Sequence, residues 1–234
     1  MIPLRDNIPS LRRPYVTYAI IGLNCLMFLL ELSTGPRLPE VVRILGFVPR
    51  RFLHLLGQGS LTLAAIPMFT SMFMHAGWLH LLGNMWTLFI FGDNVEDTLG
   101  RGPYLLFYLL GGLASLVIFL LFAPHTATPL VGASGAIAGV MGAYFSLFPG
   151  ARILTLVPIF IIFTIIELPA YIFLGFWFIW QFFLGTYTVL GRTAEGGGVA
   201  WWAHVGGFLA GMVLVRVFAP DQARNPLRWR GSSR

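Results

Sequence analysis

PYLLFYLLGGLASLVIFLLF, residues 103–122, runs for 20 residues without a charge. At a helical rise of about 1.5 Å per residue it extends about 30 Å, the thickness of a bilayer's hydrocarbon core. The rest of the chain agrees with this stretch. Of 234 residues, 57% are hydrophobic and 10% charged, and the mean hydropathy is +0.79. A water-soluble domain of this length needs a far more polar surface, so the chain reads as a polytopic membrane protein.

Working outward from residues 103–122, five further apolar stretches read as spans: 15–32, 77–91, 134–148, 169–190 and 200–218, two of the six being short. The expected fold class is therefore all-α, a bundle of six transmembrane helices. Residues 153–166 are apolar but short and contain Pro158, and are expected to form an interfacial or re-entrant piece rather than a seventh span. The N-terminal region pairs basic residues with an apolar run, as a signal peptide does. That run continues to Leu32 without a small-x-small cleavage site and is read as a retained first span. The expected organisation is an N-terminal segment at 1–14, a membrane domain at 15–218 and a polar tail at 219–234, where deletion should leave the chemistry intact.

The net charge of +6 is carried by arginine alone. Arg5, Arg12 and Arg13 precede the first span, and Arg224, Arg228, Arg230 and Arg234 follow the last. This pattern reads as membrane orientation rather than nucleic-acid binding, with both termini in the cytoplasm and an even number of spans. Arg37, Arg43, Arg50 and Arg51 then fall on the outer side, in a first loop long enough to weaken the rule. A lone cysteine, Cys25, excludes a disulfide framework within the chain and any metal site built from thiolates.

Polar groups inside spans are costly, so each is a functional candidate. Ser134 opens the fourth span within Gly132-Ala133-Ser134-Gly135, where free backbone amides and the helix dipole favour negative charge. Taken alone, a serine there reads as an N-cap. His204 stands at the start of the sixth span, and span parity puts it at a depth similar to Ser134. Gly135 and Gly139 on one helix, and Gly207 and Gly211 on the other, would let the two backbones approach closely. A neutral imidazole within reach can activate the hydroxyl, and with no third acid evident the pair reads as a dyad. On the second span His80 and Asn84 share a face at i, i+4. They could supply an oxyanion hole with the Ser134 amide, or equally make helix–helix hydrogen bonds. His54, His75 and His125 receive no chemical role. There is no H-E-x-x-H to hold zinc, and Asp93 has no second intramembrane aspartate to pair with.

Taken in order, His80-x-x-x-Asn84, Gly132-x-Ser134-Gly135 and Ala203-His204 with Gly207-x-x-x-Gly211 closely resemble the motifs of the rhomboid family of intramembrane serine proteases, over nearly the whole chain. Gly92-x-x-x-Glu96-x-x-x-Gly100 matches a structural element that the family places near the cytoplasmic side. The resemblance implies a six-helix bundle with a water-filled cavity and a Ser134–His204 dyad. It also implies an oxyanion site at His80, Asn84 and Ser134, transmembrane helices as substrates, and no metal or cofactor. The expected location is the bacterial inner (cell) membrane. Two departures stand out. Arg50-Arg51-Phe52 occupies the neighbourhood where many members carry a Trp-Arg pair, and Ala138 stands where some carry an aromatic packing on the catalytic histidine. Phe160 and Trp177 are the aromatics expected near a gate. The rival readings are a non-catalytic rhomboid-like protein that binds transmembrane helices, and a small-solute transporter lined by His80, Asn84 and His204. The absence of an internal repeat disfavours the transporter.

Overall fold

In the computed structural model the described residues are 1–159, 162–190, 201–219 and 221. Nine α-helices occur among them: α1 Tyr15–Ser33, α2 Leu38–Leu45, α3 Pro49–Gly57, α4 Leu61–Thr70, α5 Trp78–Leu99, α6 Arg101–Phe122, α7 Ser134–Leu147, α8 Ala170–Leu190 and α9 Trp201–Phe218. Four of them, α1, α6, α8 and α9, are long and apolar enough to cross a membrane. The expected 219–234 tail lies outside the described residues except for Ala219 and Asp221.

α7 is the central helix, every residue from Gly135 to Tyr144 being buried. It can sit there because its small side chains let neighbours close in. A Cβ on Gly207 or Gly211 would run into the main-chain carbonyl oxygen of Gly135 or Gly139, and one on Gly142 into that of Phe208. α7 and α9 therefore meet backbone to backbone, as the glycine spacing predicted.

The Gly92–Gly100 element joins three helices. The Glu96 carboxylate accepts hydrogen bonds from Val16 N (3.0 Å), Thr17 N (2.7 Å) and Thr17 Oγ1 (2.8 Å), and so caps the N-terminus of α1 from α5. Gly92 leaves space for Tyr104 and Thr17. Gly100, at φ +80°, makes the turn into α6, a backbone state that L side chains rarely adopt.

The all-α expectation needs one correction. The described residues of 153–166 are extended rather than helical: they belong to the two arms of a hairpin, β2 Arg152–Ile159 and β3 Ile162–Pro169, which leaves the end of α7 and returns beside it, and their Ile, Val, Thr and Phe residues suit extended backbone. β1 Ile2–Asp6 joins it in a three-stranded antiparallel sheet, order β1-β2-β3, with Ile2 opposite Leu156 and Asp6 opposite Ile153. The N-terminal segment is fastened along α5 as well: Ser10 Oγ donates to Asp93 (2.6 Å), Asn94 Nδ2 to the Ile8 carbonyl (3.1 Å) and Trp86 Nε1 to the Pro3 carbonyl (2.6 Å).

The first loop folds into α2, α3 and α4. Although the Trp-Arg pair is missing, Arg51 fastens the end of α2 by donating to the carbonyls of Arg43, Ile44 and Gly46. His54 falls on α3, and His125 lies in the α6–α7 connection.

Candidate active site

Four elements bring the polar candidates together. The connection from α6 is fixed before it enters α7: Phe47 and Leu130 exchange both backbone hydrogen bonds (3.0 and 2.8 Å), and Gly132 N donates to the Ser71 carbonyl (2.9 Å). Gly132 has φ +135°, and a Cβ there would stand 2.7 Å from His80 Cε1, so glycine is required on both counts. Ser134 follows at the first turn of α7, where the leading amides have no partner within the helix.

Ser134 Oγ lies 2.8 Å from His204 Nε2. On its other side His204 Nδ1 is 2.7 Å from Gln181 Oε1, a buried amide on α8 that the sequence reading did not single out. The only signal for it was a lone amide among the aromatic side chains of residues 170–190. With Ala138 at the position where some members carry an aromatic, the imidazole packs instead on Trp177 and Trp201, at ring-centroid distances of 5.9 and 6.1 Å.

His80 and Asn84 face the same place from α5. Ala76 N–H donates to His80 Nδ1 (3.4 Å), which leaves the proton of a neutral ring on Nε2, the nitrogen nearest Gly132. Asn84 Nδ2 is buried with no hydrogen-bond partner among the described residues. His75 is also buried, but its ring turns its edge to His80 at 5.2 Å, and burial together with His80 pushes its pKa down to about 4. It stays a neutral packing residue near neutral pH.

These groups line a cavity of about 320 Å³, with Ser134, His204, His80, Asn84 and Gln181 on its wall and Met1 and Pro3 of the N-terminal segment beside them. Of the two aromatics expected near a gate, Trp177 lines the same cavity and Phe160 lies outside the described residues. The arrangement sets a ring nitrogen beside a hydroxyl, with Asn84, whose amide nitrogen has no partner among the described residues, lining the same cavity. That is the geometry needed to generate an alkoxide and hold an oxyanion.

The Rhomboid domain profile matches residues 63–221. Among similar proteins, Rhomboid protease GluP of Bacillus subtilis is 35% identical over 132 residues, 56% of this chain and 24% of its own length. Rhomboid protein 1, mitochondrial, of Saccharomyces cerevisiae is 32% identical over 147 residues, 61% of this chain and 39% of its own. RHOMBOID-like protein 6, mitochondrial, of Arabidopsis thaliana is 29% identical over 158 residues, 56% of this chain and 51% of its own. The matches thus span about a quarter to a half of these relatives' lengths.

Proposed function

The chain belongs to the rhomboid family, and from that premise we propose that it is an intramembrane serine endopeptidase cleaving transmembrane-helix substrates, with Ser134 as nucleophile and His204 as base. The observation that carries this reading is the 2.8 Å contact between Ser134 Oγ and His204 Nε2 on the wall of a cavity. Retention of both groups favours an enzyme over a helix-binding relative.

In this reading α1, α5, α6, α7, α8 and α9 form the six-helix membrane domain. α7, at 14 residues or about 21 Å, is too short to cross a core of about 30 Å. With its far end at the inner face, Ser134 sits below the outer one. The Arg12, Arg13 and Arg101 end of the bundle faces the cytoplasm, as the positive-inside rule directs, so that α1 begins and α9 ends on that side, while β1 runs back along α5 and brings Met1 to the cavity wall.

Catalysis proceeds on a substrate segment locally unwound, since helical hydrogen bonding shields the scissile carbonyl. Ser134 Oγ attacks that carbon as His204 Nε2 takes its proton. Asn84 Nδ2, His80 Nε2–H and the Ser134 amide stabilise the resulting oxyanion. His204 then hands the proton to the departing amine as the C–N bond breaks. A water, activated by the same nitrogen, hydrolyses the acyl-enzyme.

The test is fluorophosphonate labelling of the purified protein in detergent, with cleavage of a model transmembrane substrate, for wild type, Ser134→Ala and His204→Ala. Label and product are expected from wild type alone. A folded wild type that neither labels nor cleaves would sink the proposal and favour the helix-binding role.

A further inference from the structure

We infer that Gln181 is a positioning residue that extends the dyad to a three-membered hydrogen-bonded chain, its carbonyl fixing the tautomer of His204. The inference rests on the protease reading above and concerns how the base is held ready. A histidine can accept the serine proton at Nε2 only if that nitrogen is unprotonated, which requires the ring proton of the neutral form to sit on Nδ1. Gln181 Oε1 stands 2.7 Å from Nδ1 and can only accept a hydrogen bond, so it selects the tautomer with Nδ1–H. The lone pair on Nε2 is thereby turned to Ser134 Oγ at 2.8 Å.

The surroundings of the ring leave this job to Gln181. Trp177, one turn before Gln181 on the same face of α8, and Trp201 pack on the imidazole and restrict its tilt. Neither offers an acceptor to Nδ1, because indole nitrogen only donates. Among the described residues, rotation of the ring in its own plane and the choice of tautomer are left to the Gln181 amide in contact with it. Gln181 is 5% exposed, and a buried amide without a partner would cost about 1–3 kcal/mol. The hydrogen bond to His204 removes that cost for its carbonyl. A carboxylate would hold the same proton, but it would bring a charge into an apolar bundle at a desolvation cost of several kcal/mol. A neutral acceptor secures the tautomer without that charge.

The test combines kinetics with a direct view of the ring. Gln181→Met keeps the length and removes the acceptor; Gln181→Glu keeps an acceptor at the same position. On a transmembrane substrate, Gln181→Met is expected to lose kcat by roughly 10- to 100-fold, a share of the ~10²–10⁴ that a positioned base contributes, with KM nearly unchanged. Gln181→Glu should retain kcat to within a few-fold. Nitrogen-15 NMR of histidine-labelled protein, with His204 assigned through His204→Ala, should show a protonated Nδ1 and a bare Nε2 in wild type and a mixture of tautomers in Gln181→Met. The NMR needs no turnover. An inactive wild type with the expected tautomer would overturn the protease reading and leave the positioning role standing. A bare Nδ1 in wild type, wild-type kcat in Gln181→Met, or equal losses in folded Gln181→Met and Gln181→Glu would each overturn the inference.

Discussion

The Asn84 side chain spends the resting state with a buried donor that no atom among the described residues accepts. Such a donor destabilises the fold by about 1–3 kcal/mol, and an oxyanion in the cavity would satisfy it. Asn84→Ala is therefore expected to move activity and stability in opposite directions. The kcat should fall by about 10²–10³ while KM holds, and the midpoint of thermal unfolding in detergent should hold or rise. A variant that loses both would mark the amide as structural. The polar candidates at this scale were legible because a serine, a histidine and an amide are conspicuous in apolar helices at the spacings of His80, Asn84, Ser134 and His204. Gln181 was not, since nothing in the spacing of residues 170–190 ties one glutamine on α8 to a histidine on α9. Only the packing of the two helices reveals it.

Among elements, the contact of α7 with α9 carries the geometry of the site. Gly211→Ala would drive a methyl into the Gly139 carbonyl. A loss of about 1–3 kcal/mol is expected from that overpacking, together with reduced cleavage as α9 is pushed off α7. Gly22→Ala on α1 is the control, because nothing lies within 4 Å of a Cβ there. It should hold or gain stability by up to about 1 kcal/mol. Thermal unfolding of the two variants side by side decides the matter. The glycine spacing was readable as close approach, whereas the β2–β3 hairpin was not. Its run of Ile, Thr, Val and Phe suits a strand as well as a membrane-surface segment, and its partner β1 lies about 150 residues earlier in the chain.

On the scale of the whole molecule, β1 binds the N-terminal segment to the hairpin, and Asp6 adds a hydrogen bond from the Tyr144 hydroxyl on α7. Burial pushes the Asp6 carboxyl up to about 6, the Tyr144 hydroxyl opposing and Asp93 adding to the shift. The folded chain thus keeps this proton to higher pH than the unfolded chain, whose carboxyl titrates near 3.8. Its favourable contribution is complete below about pH 4 and is lost as pH rises through about 6, an effect of at most about 3 kcal/mol before solvent screening reduces it. Asp6→Asn should then raise the unfolding temperature at about pH 7.5 and leave it nearly unchanged at about pH 3.5, below the carboxyl's value in the unfolded chain. A lower value at pH 7.5 would mean that the ionised carboxylate stabilises the fold. The glycine contacts between α7 and α9 have a mechanical consequence at this scale too. Where main chain rests on main chain, no rotamer lies between the jaws, so the gap that Ser134 and His204 bridge behaves as a caliper locked at one setting. Warming or a change of lipid that loosens side-chain packing elsewhere will alter how readily the cavity is reached before it alters the spacing inside it.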